Sequence, residues 1–186
     1  MAPLPDPRPH LDAEAQAALR RITAARSHAE GRPEVSALYL AMFNNPAVAI
    51  AVGALGEQLR FHGTLPDRIR EIAILRYAAR RPFAYGWAHH QRPAKLAGIT
   101  PETIAALARD AQPADLDRVE RATVAAVDQI AGGEEIAAPI QHVLADALGD
   151  AGVVELVALC GLYGLMGYMT SAFAVEIEPR LIAPEG

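Results

Sequence analysis

The stretch TLPDRIREIAILRYAARRPFAYGWAHH, Thr64 to His90, decides the fold of this 186-residue chain. Thr64 is a good N-cap, Pro66 fits the first turn, and Asp67 stands three residues on, as in a capping box. From Glu71 onward the helix is apolar nearly all round, which predicts a central position, and Pro82 ends it. A second helix carries YGWAHH toward Gly98. The two form an antiparallel hairpin about the Arg80–Pro82 turn, with residues before the turn facing residues after it. Pro93 cannot donate to the His89 carbonyl and its ring crowds that oxygen, so a kink, break or restart is expected beside the histidines.

Outward from this hairpin the pattern remains helical, with no period-two strand. A first helix covers about Asp12 to His28 and stops near Gly31, and Pro33 opens a second that ends before NNP. Asn45 caps and Pro46 opens a third, which reaches about Phe61. After the hairpin, Gly98, Thr100 and Pro101 mark a stop, a cap and a start. Helices follow over about Leu116 to Ile130 and Pro139 to Leu148, then a long apolar one from Val153 to Ala174. In the last, Gly161, Gly164 and Gly167 recur every third residue and leave a bare strip for close approach. The expectation is an all-α, single-domain bundle over residues 11–186, preceded by a flexible arm over residues 1–10 whose prolines lack a signal-peptide pattern.

Composition narrows the function. The chain is 52% hydrophobic and 21% charged, with more apolar surface than a monomer needs to bury, so homo-oligomerisation is expected. A net charge of −5 and the absence of any Lys/Arg block argue against nucleic acid. One cysteine, Cys160, allows no disulfide, CxxC pair or thiolate zinc site, and suits a reducing cytoplasm. Leu156 to Phe173 is uncharged and near spanning length. Its acidic flanks and its Gly, Ser and Thr content predict a buried or inter-subunit helix rather than a membrane span.

Chemistry concentrates in the hairpin. Glu71 lies among Ile72, Ala73, Ile74 and Leu75, and a carboxylate in apolar surroundings needs a partner. Across the turn His90 can supply it. Such a pair holds a proton donor and acceptor near neutral pH and fixes the imidazole tautomer; the same pair also serves packing alone. His89 and His90 point about 100° apart on a helix. His90 is therefore expected inward, with Gly86 one turn before it opening room, and His89 toward an interface or solvent. Tyr85 shares a face with His89, and Trp87 starts another; each aromatic reads as core or as pocket lining, Trp87 more readily as core. Arg76 is expected to meet a substrate carboxylate or lie at a surface, and His62 to approach the same pocket or sit at its helix end. No HExxH or His-x3-His occurs, so neither a metal nor a cofactor is expected.

Leu65 to Leu107 resembles the core of the carboxymuconolactone decarboxylase-like family, which includes alkyl hydroperoxidase D. The likeness rests on the RE acid at Glu71, a YxWxxH stretch from Tyr85 to His90, and AGITPETI after it. The resemblance implies an all-helical fold assembled as trimers or hexamers, with Glu71 and His90 as catalytic residues. From their positions around the pair, substrate contacts are expected from Tyr85, Trp87, Arg76, His62, His89 and Gly86. Two departures matter. The CxxC pair of the peroxidase branch is replaced by Phe83 and Gly86, and the middle of the usual YEW is Gly86. The expected function is a cofactor-independent acid/base enzyme of aromatic catabolism. It would act on a small conjugated lactone or keto-acid by decarboxylation or a related lyase or isomerase step. The alternatives are a hydroperoxidase-like redox protein, disfavoured without CxxC, and a non-catalytic oligomeric binding or scaffold member.

Overall fold

The computed structural model describes residues 4–30, 35–109 and 115–182, which form helices and connections without a β-strand. The expected stop at Gly31 and start at Pro33 lie outside the described residues. Two compact units are present, Met1–His62 with Tyr168–Gly186, and Gly63–Gly167.

The first unit is built on α1 (Ala13–Glu30), α2 (Ala37–Met42) and α3 (Pro46–Glu57). Ser36, not read from the sequence, caps α2, while Asn45 caps α3 with Pro46 in its opening turn, as the sequence predicts. A single π-helical stretch, Gln58–His62, continues α3. α1 and α3 cross closely because Gly53 has no side chain: a Cβ there would fall 2.5 Å from Ile22 Cδ1. Ahead of α1, Pro7 is buried and Asn44 Nδ2 donates to the Pro5 carbonyl at 3.1 Å. The short α9 (Pro179–Ile182) also belongs to this unit, and Glu178 accepts from the Ala37 N–H at 3.1 Å.

The second unit is organised by the predicted hairpin, α4 (Asp67–Arg80) and α5 (Ala84–Leu96). Its turn is closed by the Arg81 N–H donating to the Tyr77 carbonyl and the Phe83 N–H donating to that of Ala78. α4 also packs on α6 (Pro101–Leu107) and α7 (Arg118–Gly132), and its central position is why Ile72, Ala73, Ile74 and Leu75 are all buried. Ile72 and Leu75 join Ala94, Ile99, Leu107 and Val124 in one apolar cluster, with Trp87 packed against it. Burying side chains of this size stabilises the unit by about 1.5–3 kcal/mol each.

Two local details depart from the sequence reading. Thr64 does not cap α4; Pro66 holds the cap position with no side-chain bond. The Thr64 N–H, at 2.7 Å, and hydroxyl, at 3.1 Å, instead donate to the Glu155 carboxylate, joined by the Leu65 N–H at 3.0 Å. Thr64 thus stands two residues ahead of the cap position, and its hydroxyl donates to an acid instead of accepting from the first turn of α4. α5 runs unbroken through Pro93, so the expected interruption is absent. The helix that does carry a capping box is α7, through Asp117 and Glu120. The last two predicted helices are both present, end to end as α8 (Ala138–Ala172), and are separated by a kink at Gly149, whose φ of 71° and ψ of 168° only glycine tolerates well. Among the described residues, no helix is long and apolar enough to cross a membrane.

Candidate functional site

Glu71 and His90 meet across the hairpin as expected. Glu71 Oε2 lies 2.7 Å from His90 Nδ1, and the two residues are only 2% and 5% exposed. The meeting follows from placement: Glu71 is in the second turn of α4, His90 in the second turn of α5, and the chain reverses between them. Glu71 Oε1 lies 3.5 Å from Arg70 Nε, an ion pair without a hydrogen bond, while Arg70 Nη2 holds Asp67 at 2.9 Å.

The second imidazole nitrogen is also engaged. His90 Nε2 is 2.8 Å from the Tyr163 hydroxyl, which arrives from α8, and the two rings meet edge to face at 5.1 Å. If the Glu71 carboxylate accepts from Nδ1–H, Nε2 carries the lone pair and the Tyr163 O–H donates to it. Tyr163 is 3% exposed. Carboxylate, imidazole and phenol thus form a continuous buried chain of hydrogen bonds. Sequence reading gave Tyr163 no role. The available signal was a phenol in an uncharged helical run, since a buried tyrosine hydroxyl normally finds a polar partner.

Gly86 behaves differently from the expectation that it opens room. A Cβ at Gly86 would overlap the Phe83 ring, which takes up the vacated space. That ring is buried, lies 6.4 Å from the Tyr163 ring and 6.5 Å from Tyr85, and sits against Gly167. Phe83 and Gly86, which stand where the resemblance puts two cysteines, therefore form a complementary apolar pair. The glycine strip on α8 has a local purpose too: a Cβ at Gly164 would fall 2.6 Å from the Tyr77 hydroxyl.

The remaining residues scatter. Tyr85 is buried and stacks on the half-buried His89 at 4.3 Å, so the shared face was read correctly. Trp87 packs on the apolar cluster. Arg76, expected at a substrate carboxylate, is instead held by Asp128, with Nε–Oδ1 at 2.6 Å and Nη2–Oδ2 at 2.7 Å. Its Nη1 donates to the carbonyls of Leu107 and Arg109. A guanidinium so surrounded serves to close the α4–α7 packing. His62 belongs to the first unit, where its exposed imidazole lies 3.9 Å from Glu57. Burial pushes the Cys160 thiol up to about 12, which leaves almost no thiolate at neutral pH. Among the described residues, no three metal-ligating side chains converge.

The hairpin carrying the buried acid and histidine stands in an all-helical fold like that of the alkylhydroperoxidase AhpD core. Residues 46–129 match the model of the Carboxymuconolactone decarboxylase family. Among solved structures it resembles the alkylhydroperoxidase AhpD core of an uncharacterized peroxidase-related protein from Ralstonia eutropha JMP134. The TM-score is 0.80 at 16% identity, covering 97% of this chain and 94% of that one. It also resembles a variant of the debrominase Bmp8 in complex with 2,3,4-tribromopyrrole, with a TM-score of 0.76 at 16% identity over 92% and 91% of the two chains. At such identities the likeness speaks for the fold. A comparison with curated proteins gives no match.

Proposed function

We propose that this chain is a cofactor-independent acid/base enzyme. It moves protons on a small conjugated lactone or keto-acid, by decarboxylation or a related lyase or isomerase step in aromatic catabolism. It would work in the cytoplasm as a homo-oligomer, a trimer or hexamer. One observation carries the reading: a Glu71–His90 pair at 2.7 Å, buried inside the unit. Glu71 orients the ring and balances its charge when His90 takes up a proton, and the buried setting strengthens both effects. Decarboxylation needs an electron sink conjugated to the departing carboxylate, a donor at the developing enolate oxygen, and an acid that returns a proton to carbon. His90 and Glu71 supply the acid.

Other observations agree. A structural neighbour, Bmp8, holds the small planar ring 2,3,4-tribromopyrrole on this same fold, which suits a compact conjugated substrate. Thiol peroxidase chemistry is disfavoured, because the CxxC positions are Phe83 and Gly86 and the Cys160 thiol stays protonated near neutrality. Assembly fits the apolar side chains left exposed in the second unit, Leu96 at 70% and Val154 at 67% among them.

The test is turnover of carboxymuconolactone, followed as CO2 release, and of α-angelica lactone, followed as isomerisation. His90→Gln and Glu71→Gln are each expected to lose about 10²-fold or more in kcat while retaining the helical circular-dichroism spectrum. Variants that lose assembly but keep turnover would overturn the assignment. A second reading, a non-catalytic binding or scaffold member, is favoured by the Phe83 ring that fills the space over Gly86. It predicts that the wild type and a folded Phe83→Ala variant are both inert toward the two lactones. Activity in either one excludes it.

A further inference from the structure

We infer that Arg70 is a positioning residue for the Glu71–His90 pair: its permanent charge holds Glu71 as a carboxylate and keeps His90 neutral at rest. The inference rests on the acid/base reading above and deepens it. Among the steps proposed there, it favours those that begin by taking a proton.

Arg70 directly precedes Glu71 on α4, and its side chain is only 14% exposed. Its Nε lies 3.5 Å from Glu71 Oε1, while the other carboxylate oxygen meets His90 Nδ1 at 2.7 Å. That Nε is buried and makes no hydrogen bond, and Nη2 holds the exposed Asp67 carboxylate at 2.9 Å. Arg76 is the opposite case, since its N–H groups reach Asp128 and two carbonyls. A buried N–H without an acceptor is unfavourable and calls for a reason. Here the reason is the charge itself, set beside the acid.

Three groups decide the resting state. Burial drives a carboxylate to take up a proton, and a carboxylate beside an imidazole draws a proton onto the ring. Either event fills the pair before a substrate arrives. A guanidinium never gives up its proton. With His90 neutral, Arg70 and ionised Glu71 therefore sum to zero, and a proton added to the pair places net positive charge in a buried site. Asp67 offsets this only weakly, because water and salt screen an exposed charge.

Other ionisable groups surround the pair. Tyr163 from α8 meets His90 Nε2, and His89 stacks on Tyr85. Arg68 pairs with Glu120 and Arg76 with Asp128, both from α7. Glu102 on α6 and Arg92 and Lys95 on α5 are exposed. Each of these is the same with or without Arg70. Removing the guanidinium thus acts in one direction, and the pair takes up its proton at higher pH.

The test follows histidine 15N shifts from pH 5 to pH 9 in the wild type, Arg70→Gln and Arg70→Lys, with His90→Gln to assign the ring. In Arg70→Gln the midpoint of proton uptake is expected about 1 pH unit higher than in the wild type. Arg70→Lys keeps the cation and should stay nearer the wild type. Arg70→Met carries the same loss of charge should Arg70→Gln not fold. In α-angelica lactone isomerisation, the acidic limit of kcat/KM should be displaced to higher pH in the neutral variants. A His90 signal identical at every pH in the wild type and the neutral variants would overturn the inference, and wild-type turnover would still leave the acid/base reading standing. A wild type inert toward the lactone, with the 15N displacement present, removes the acid/base reading and the catalytic part of this inference with it.

Discussion

Helix α4 holds two buried polar knots five residues apart, and they are built on opposite principles. At Arg76, a permanently charged group meets Asp128 in two parallel bonds and two carbonyls besides. At Glu71, the partners are an imidazole and then a phenol, and each link can exchange donor for acceptor. The first arrangement has one protonation state and fixes geometry. The second joins groups that can each gain or lose a proton. A buried ionisable group is therefore weak evidence of chemistry until its partners are known.

This contrast can be broken most decisively at Arg76. Arg76→Met should cost about 3–5 kcal/mol, because two carbonyls lose their donor and Asp128 is left with Arg80, 3.5 Å away. Urea unfolding should show the loss as a lower midpoint at unchanged slope, with turnover per folded molecule retained. A cost below about 1 kcal/mol would mean that the two knots do not differ in kind.

Gly86 sharpens the other side. Gly86→Ala forces a methyl into the Phe83 ring and should destabilise the protein by about 1–3 kcal/mol. Adding Phe83→Leu should recover part of that loss. A thermal-unfolding cycle over the two single variants and the pair reads the coupling. Independent, additive effects would contradict the complementary fit.

The smallest effect concerns Cys160, a buried ionisable group perturbed by its apolar surroundings rather than by a charge. Its thiol is raised from an ordinary value of 9.0 to about 12 by desolvation. The folded form thus binds more protons than the unfolded form between those limits, and stability falls as pH rises through that window. Near pH 10 the loss should be about 1 kcal/mol. Cys160→Ala should flatten this part of the stability profile, measured by urea unfolding from pH 8 to pH 10. A profile identical to that of the wild type would show that the thiol is not desolvated.

Much of the architecture was legible because it is written locally. Caps such as Asn45 and Thr100, the breaks at Pro82 and Gly98, and the apolar run after Glu71 act within a few residues, so the helices and the hairpin could be drawn from sequence. The Glu71–His90 contact was legible for the same reason: a short turn makes a long-range contact nearly local. What failed to show was set by distant partners. Thr64 reads as a cap, but Glu155, ninety-one residues away, takes its N–H. Gly86 reads as a vacancy, and the neighbouring ring that fills it is a matter of rotamer, invisible in spacing. Arg76 could have faced a ligand until Asp128 appeared opposite. Tyr163 lies seventy-three residues beyond His90, and no periodicity along the chain connects them.

Glu155 has a mechanical consequence. It grips Thr64 and Leu65 just ahead of the helix that bears Glu71, while itself standing eight residues before Tyr163 on α8. Eight helical residues are about 12 Å of rise, so one carboxylate ties together the foundations of both outer members of the relay. A sliding of either helix along its axis would have to drag the other with it.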